Sequence, residues 1–292
     1  MKNSPLLSIC IPVFKRKKEI IELLSSVKEL KFNIEFIIFD DGSNNNLKNL
    51  IKKKKYNLNI RFFFHVKNRG RSPALADCIK LAKGIYTLIM DADDNFIPGA
   101  LNFICETLIK NKKKNINAFL FGVTYKNKIG KYKENIPPHG ILATFVKFRF
   151  DYGVKGDMKE VVRTDILQSC IYKHAYQFRR VPTFIMWECV SRKTKCLSIG
   201  KSVIIKNFLK DGLSSKISKI KYENSKPMYD LYKQLYFSNL YNSKYFRIRS
   251  KIQYYRYQFI IKNKIQFSFE DTAFLIIGYL IYKIDKFFFK YQ

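Results

Sequence analysis

The sequence predicts an α/β fold in which a mostly parallel sheet is flanked by helices. Over about the first 125 residues, short apolar runs alternate with segments of helical periodicity. Strands that are apolar on both faces are typical of a parallel sheet covered by helices. Apolar residues make up 47% of the 292 residues, which is enough to build a sizeable core.

The elements of this first part follow one another in a regular order. Buried-strand runs are predicted at 6–14, 34–39, 59–66 and 85–90. Apolar residues on one helical face predict a helix over 17–30, and another helix is predicted from about 98 to 110. A helix over 72–84 is indicated by Ser72 as N-cap, Pro73 as its first residue and Gly84 just after its end.

The charge of the chain predicts an anionic partner. Lys and Arg number 55 against 23 Asp and Glu, which gives a formal net charge of +32. Such a surplus suits nucleic acid, a phosphorylated substrate or an anionic membrane surface. Nucleic acid is not the expected partner, because the sequence has no helix-turn-helix, RRM-type or zinc-finger pattern.

The six cysteines predict reduced, mostly buried thiols in a cytosolic protein. None of them forms a CxxC pair, and the chain is too large to depend on disulfides for its core. A zinc site is not expected either, since the three histidines are scattered along the chain.

Acidic residues are concentrated at the ends of two predicted strands. "DDGS" (40–43) follows the second strand and "DADD" (91–94) follows the fourth. In open parallel sheets, ligands bind beyond the carboxyl ends of the strands, so both clusters should face one cleft. Two carboxylates at D-x-D spacing can hold one Mg²⁺ or Mn²⁺ together with substrate phosphates. The alternative is a pair of solvated turns.

Three segments in order resemble the nucleotide-binding half of family 2 glycosyltransferases of the GT-A fold. They are "SICIPVFKR", "IEFIIFDDGS" and "NRGRSPALADCIKLAKGIYTLIMDADD", and they cover about residues 6–110. The resemblance implies a UDP-sugar donor, with Mn²⁺ or Mg²⁺ as cofactor. It also implies a GT-A catalytic domain over 1–215, divided into a nucleotide-sugar half (1–125) and an acceptor half (126–215). A helical C-terminal region follows at 216–292.

Roles for the nucleotide pocket follow from this resemblance. Pro12 and Val13 would line the pocket, and one of Asp40 and Asp41 would contact the base, usually uracil. The alternative for the acidic pair is a turn formed with the following glycine. Arg71 would meet the base or the phosphates, unless it is a solvated loop cation.

The "DADD" segment looks like the family's metal-binding pair. The resemblance implies that Asp91 contacts the sugar or ribose and that Asp93 binds the metal, with Asp91 as the second carboxylate of the pair. Asp94 either supports these carboxylates or caps the following helix.

The acceptor half must supply a general base. An inverting transferase needs one to take the proton of the acceptor hydroxyl, and family members place an Asp or Glu at the start of the acceptor-side helix. Here Pro182 and Thr183 occupy that position. Glu188 is therefore the candidate, with Asp157 in reserve. The alternative for Glu188 is an ordinary ion pair with Arg192. A family-like "DGLS" follows at 211–214.

The C-terminal region predicts a peripheral membrane protein on the cytoplasmic face of the inner membrane. Its last helix (272–292) is too short in apolar length to span a bilayer, but it combines apolar, aromatic and lysine residues as interfacial helices do. The alternative is packing on the catalytic domain, which we expect for 229–240. By analogy with bacterial transferases that extend glycans at the cytoplasmic membrane face, we expect the acceptor to be a lipid-linked oligosaccharide or lipooligosaccharide. A non-catalytic membrane-bound scaffold is the competing hypothesis.

Overall fold

A computed structural model describes residues 4–43, 46–126, 131–207, 217–265 and 267–290. The "DGLS" segment and the predicted domain boundary at 215 therefore lie outside the described residues.

Ten strands form one sheet. They are β1 (Leu7–Val13), β2 (Ile34–Asp40), β3 (Asn59–Phe64), β4 (Tyr86–Ile89), β5 (Asn95–Phe96), β6 (Ala118–Lys126), β7 (Tyr132–Asn135), β8 (Leu142–Ala143), β9 (Lys159–Arg163) and β10 (Cys196–Asn207).

The helices alternate with these strands and then continue without them. They are α1 (Lys17–Ser26), α2 (Leu47–Lys53), α3 (Arg71–Leu81), α4 (Ala100–Lys110), α5 (Phe145–Phe150), α6 (Thr164–Ser169), α7 (Phe184–Lys193), α8 (Ile217–Glu223), α9 (Ser225–Tyr236), α10 (Lys244–Ile260) and α11 (Thr272–Lys290).

The sheet has a parallel half and a mixed half. Its order is β3-β2-β1-β4-β9-β6-β10-β5, with β7 beside β6 and β8 beside β10. The first four strands in that order are parallel, as predicted for the nucleotide-sugar half. Strand β9 then lies antiparallel between β4 and β6, so the chain beyond residue 125 completes the same sheet.

Helices cover both faces of the sheet. Alternate side chains of one strand point to opposite faces, so Ile9 and Ile11 lie in one core cluster and Cys10 in the other. The first cluster receives α1 and α4, and the second receives α3, α5 and α7. This arrangement explains why the four predicted strands lack polar alternation.

Helix α3 begins earlier than its sequence pattern predicts. It starts at Arg71, after Gly70 in a positive-φ conformation, so Ser72 and Pro73 lie inside its first turn. Ser72 Oγ instead accepts a hydrogen bond from the backbone N–H of Val181. The helix ends at Leu81, and Gly84 N–H donates to Ser8 Oγ rather than terminating a helix. The predicted cap residues serve tertiary contacts instead.

The prediction of six reduced thiols is wrong for one pair. Cys170 and Cys189 form a disulfide between the end of α6 and α7. The other four cysteines are free and buried. Cys170 and Cys189 are 19 residues apart, a spacing that matches no recognisable cysteine motif, so their pairing depends on the fold alone.

The C-terminal helices are attached to the part of the chain that forms the sheet and to each other. Asp151, just after α5, accepts hydrogen bonds from the N–H groups of Asn242 and Ser243, ahead of α10. Leu231 and Leu235 of α9 lie in one core cluster with Val146 of α5 and Ile185 of α7, so the expected packing is confirmed for these residues of 229–240. In the part of the chain that the structure describes, no helix has the length and apolar content to cross a bilayer.

Helices α10 and α11 form a closely packed pair. Asp285 of α11 accepts two hydrogen bonds from Arg256 of α10, at 2.6 and 2.7 Å. A Cβ atom added at Gly278 would lie 2.9 Å from the backbone N of Arg256 and from the carbonyl O of Ile252. Only glycine therefore permits this approach of the two backbones.

Candidate active site

The two acidic clusters lie at the same edge of the sheet. Strand β2 ends at Asp40, and the backbone N–H of Asp41 donates to the carbonyl of Val13 at the end of β1 (2.8 Å). On the other side of β1, Met90 N–H donates to Cys10 O (2.9 Å) just before "DADD". The three strands end together, as the parallel arrangement requires.

Asp41 organises the loop between β3 and α3. Its carboxylate accepts hydrogen bonds from Asn68 Nδ2 (2.9 Å), Arg69 N (3.0 Å) and Gly70 N (2.7 Å), and it lies 2.8 Å from Nδ1 of His65. The side chain is buried. Because these partners occupy both oxygens, Asp41 holds the loop that carries Arg71, and its contact with a base stays a prediction.

The side chains of Asp40 and Val13 are buried and point into the protein interior. Oδ1 of Asp40 accepts hydrogen bonds from the N–H and the hydroxyl of Ser43, which is the turn named as the alternative. The side chain of Val13 belongs to the hydrophobic core. The alternation of β1 thus turns the side chain of Val13 inward, and the lining of the nucleotide pocket by Val13 stays a prediction. Pro12 is partly exposed beside it.

Asp91 is surrounded by cations. Its Oδ1 accepts from Nη2 of Arg71 (2.8 Å), and its Oδ2 lies 3.7 Å from Nζ of Lys206. Burial acts to raise the pKa of Asp91, but Arg71, Lys159 and Lys206 outweigh it and hold that pKa well below its usual range. Asp91 is therefore an anion, and Arg71 lies at the site rather than in a solvated loop.

Asp93 lies close enough to Asp91 for the two carboxylates to interact electrostatically. Burial, and then the charge of Asp91, raise the pKa of the Asp93 carboxyl. Two carboxylates that repel each other provide a place for a cation. Among the described residues, no group of three or more His, Cys, Asp or Glu could hold a metal. Mg²⁺ and Mn²⁺ often take only two carboxylates and complete their shell with phosphate and water, so the pair fits.

Asp94 does not cap α4, which begins at Ala100 after Gly99. Its carboxylate is buried, and Oδ2 lies 3.3 Å from Nζ of Lys206 and 3.6 Å from Nζ of Lys159. Burial raises its pKa, which the two lysines oppose. Asp94 therefore anchors the "DADD" loop through its ion pairs with Lys159 and Lys206.

Asp157 reaches the same cluster from the acceptor half. Its Oδ2 lies 3.1 Å from Nζ of Lys206, and its side chain is 61% exposed. Its backbone N–H donates to the hydroxyl of Tyr125 (2.6 Å), and its carbonyl accepts from Nδ2 of Asn135 (3.0 Å). The reserve candidate for the general base is thus held beside the acidic loop and open to solvent.

Glu188 is placed away from this cluster. It is 1% exposed on α7, and Oε1 lies 2.5 Å from Nη2 of Arg192, one turn along the helix. Burial raises its pKa, and Arg192 opposes that shift. A carboxylate without access to solvent cannot receive an acceptor hydroxyl, so the structure corrects this prediction in favour of the ion pair. Trp187 beside it packs against Phe145 in the core, with 5.4 Å between ring centroids.

Sequence reasoning missed three basic residues of the site. Lys159 begins β9, Lys206 stands near the end of β10, and Arg180 precedes α7. The Nη1 atom of Arg180 is buried and has no hydrogen-bond partner within the described part of the chain. Burial, followed by the neighbouring Arg71, lowers the pKa of Arg180, while Asp91 raises it. The position of Lys206 at a strand end was the one sequence signal that could have indicated it.

The chain is similar to known proteins in sequence and in structure. The sequence profile described as "Glycosyl transferase family 2" matches residues 8–175. An uncharacterized glycosyltransferase of Rickettsia conorii is 34% identical over 138 residues, which are 46% of this chain and 22% of the relative. A poly-beta-1,6-N-acetyl-D-glucosamine synthase of Staphylococcus epidermidis is 32% identical over 108 residues, 37% of this chain and 26% of the relative. The chain thus spans about a quarter or less of these relatives.

Solved structures share the fold over most of the chain. S. aureus TarS 1–349 in complex with UDP-GlcNAc superposes with a TM-score of 0.66 at 15% identity, covering 93% of this chain and 79% of TarS. The mannosyltransferase PcManGT of Pyrobaculum calidifontis, in complex with GDP-Man and Mn²⁺, gives 0.53 at 10% identity, with 98% and 76% covered. At these identities the likeness concerns the fold alone.

Proposed function

Because the chain belongs to glycosyl transferase family 2, we propose that it moves a hexose from a UDP-sugar to a hydroxyl group of a glycan acceptor, with inversion at C1. One observation carries the proposal. Basic side chains of Arg71, Arg180 and Lys206 converge with the acidic "DADD" loop at the carboxyl edge of the sheet. A site that joins cations and paired carboxylates suits a diphosphate with a divalent cation.

The donor is expected to bind with its diphosphate over the loop. Arg71 and Arg180 would contact phosphate oxygens, and the unpartnered Nη1 of Arg180 gains a bond by doing so. A uridine donor is favoured because the structurally similar TarS holds UDP-GlcNAc. Asp91 and Asp93 would hold Mn²⁺ or Mg²⁺, which when bound neutralises charge on the departing diphosphate.

Asp157 is the general base of this proposal. It is exposed, it stands beside the "DADD" loop, and its Oδ2 lies 3.1 Å from Nζ of Lys206. From this position it can take the proton of an acceptor hydroxyl while the oxygen attacks C1 of the sugar.

The test is a screen of UDP-sugars for slow hydrolysis by the full chain, with Mn²⁺ or with EDTA. We expect turnover of at least one UDP-hexose that depends on the metal, and loss of that turnover in Asp93→Ala. UDP binding without turnover of any sugar would favour the non-catalytic scaffold. Binding of DNA without any UDP binding would favour the nucleic-acid alternative and contradict the proposal.

We further propose that the protein works at the cytoplasmic face of a membrane on a lipid-linked glycan. The observation behind this is an exposed apolar stripe along α11. Its members recur at helical spacing and all are exposed, and they are Ile276, Ile277, Leu280, Ile284, Phe287 and Phe288. A stripe of this kind beside exposed lysine suits the interface of an anionic bilayer, toward which the charge of +32 attracts the protein.

Vesicle flotation tests the membrane proposal. We expect the chain to float with vesicles that contain anionic lipid, and Leu280→Glu together with Phe287→Glu to abolish flotation. The matched control is Ile109→Glu, which charges an exposed apolar residue of α4 outside the stripe. Flotation that the double variant leaves unchanged would refute the role of α11. A dimer that the double variant dissociates would assign the stripe to a second copy of the chain.

A further inference from the structure

Lys206 is brought to the acidic loop by the pairing of two strands. Strand β10 pairs with β5 in antiparallel register, Ile205 opposite Asn95. Lys206 follows Ile205 and Asp94 precedes Asn95, so the same register brings Lys206 opposite Asp94, with 3.3 Å between Nζ and Oδ2. The contact is a product of sheet register rather than of a mobile surface side chain.

The ammonium group of Lys206 joins carboxylates from both halves of the site. It lies 3.1 Å from Asp157, 3.3 Å from Asp94 and 3.7 Å from Asp91. The lysine side chain is 17% exposed. Because three carboxylates pair with this ammonium group, Lys206 places a fixed positive charge in the site.

This charge acts in opposite directions on the two ligands of the site. A divalent ion that binds Asp91 meets an ammonium group already placed at one carboxylate oxygen, so the two cations repel each other. A diphosphate meets the same ammonium group as an attraction. Lys159, the other lysine near Asp94, donates to the carbonyl of Ile89 and is nearly buried, so it is less able to reach a ligand.

We propose that Lys206 is a resident cation of the donor site, which weakens the binding of a free divalent ion and strengthens the binding of the diphosphate without metal. The inference rests on the proposed function, since it takes the diphosphate of a nucleotide as the ligand. It adds that one lysine lowers the affinity for the divalent ion and raises the affinity for the diphosphate.

The experiment compares the full-length wild type with Lys206→Met. Binding of Mn²⁺ alone is measured from the electron paramagnetic resonance signal of the free ion, and binding of UDP by calorimetry in EDTA. We expect the variant to bind Mn²⁺ at least about tenfold more tightly, and UDP at least about tenfold more weakly, since about 1.4 kcal/mol suffices for each change. A merely structural role would weaken both ligands together.

Lys201→Met removes an exposed lysine of the same strand, which lies over the Phe103 ring, and should change neither affinity. Lys206→Gln repeats the charge change should the Met variant not fold. Equal shifts of both affinities in one direction, or no shift of either, would overturn the inference. So would a wild type that binds UDP with Mn²⁺ but not at all in EDTA. Sugar transfer by the wild type would leave the proposed function standing in each case.

Discussion

Glu160 makes the stability of this protein depend on pH in a predictable way. It lies on β9 and lines a small cavity together with Phe148, Met158 and Trp187. Burial raises the pKa of its carboxyl from 4.5 to about 7, although Arg149 and Lys159 oppose the shift. The perturbation we choose is Glu160→Gln, which keeps the shape of the side chain and cannot ionise.

The magnitude follows from linkage. Below about pH 4.5 the carboxyl is protonated in the folded and the unfolded chain, and no penalty arises. Between pH 4.5 and 7 the unfolded chain releases the proton while the folded chain keeps it, so the wild type loses stability as pH rises. The loss amounts to about 3 kcal/mol once both states are ionised. The variant lacks this loss.

Urea unfolding at a series of pH values between 4.5 and 8 provides the assay. We expect the free energy of unfolding of Glu160→Gln, relative to wild type, to increase with pH over that window and to level off above pH 7. Glu134→Gln, which changes an exposed acid of β7, should follow the wild type. A difference between variant and wild type that is the same at every pH would refute the reasoning.

Three further predictions concern the site and its supports. Asp157→Asn should lower kcat for sugar transfer by about 100-fold or more, the usual contribution of a general base, with UDP affinity little changed. Glu188→Gln should retain kcat. Loss of kcat in Glu188→Gln with kcat retained in Asp157→Asn would restore Glu188 as the base. His65→Ala removes the partner that Asp41 and Asp77 share. This variant should lower the free energy of unfolding by about 1–3 kcal/mol and weaken UDP binding. Unchanged UDP affinity in calorimetry would contradict this prediction. Gly278→Val should separate α10 from α11 and speed hydrogen exchange in α11, and unaltered exchange would refute the close backbone approach.

The parallel half of the sheet could be predicted because its signals are local. Each strand from β1 to β4 is an apolar run that ends near its predicted boundary, and the acids follow directly in the chain. Family 2 membership and the GT-A fold follow from the same segments, and both are confirmed.

The acceptor half could not be predicted in the same way, because its site residues depend on pairing between distant segments. Lys206 meets Asp94 through the register of β10 and β5, and Asp157 is held by a hydroxyl of β6. Glu188 has the right residue type, but it lies inside α7 rather than at the helix start, and the helix turns it inward toward Arg192. Sequence periodicity alone did not distinguish the buried acid from a catalytic one.

The packing of α11 on α10 has a geometric consequence for the proposed membrane contact. Arg256, Asp285 and the glycine contact at Gly278 fix the rotation of α11 about its own axis, so the apolar stripe points in one direction. In the proposed function, a bilayer bound by that stripe would hold Asp157, the proposed base, at a constant height above the lipid. The number of sugars between the accepting hydroxyl and the lipid would then decide which acceptor glycans reach Asp157.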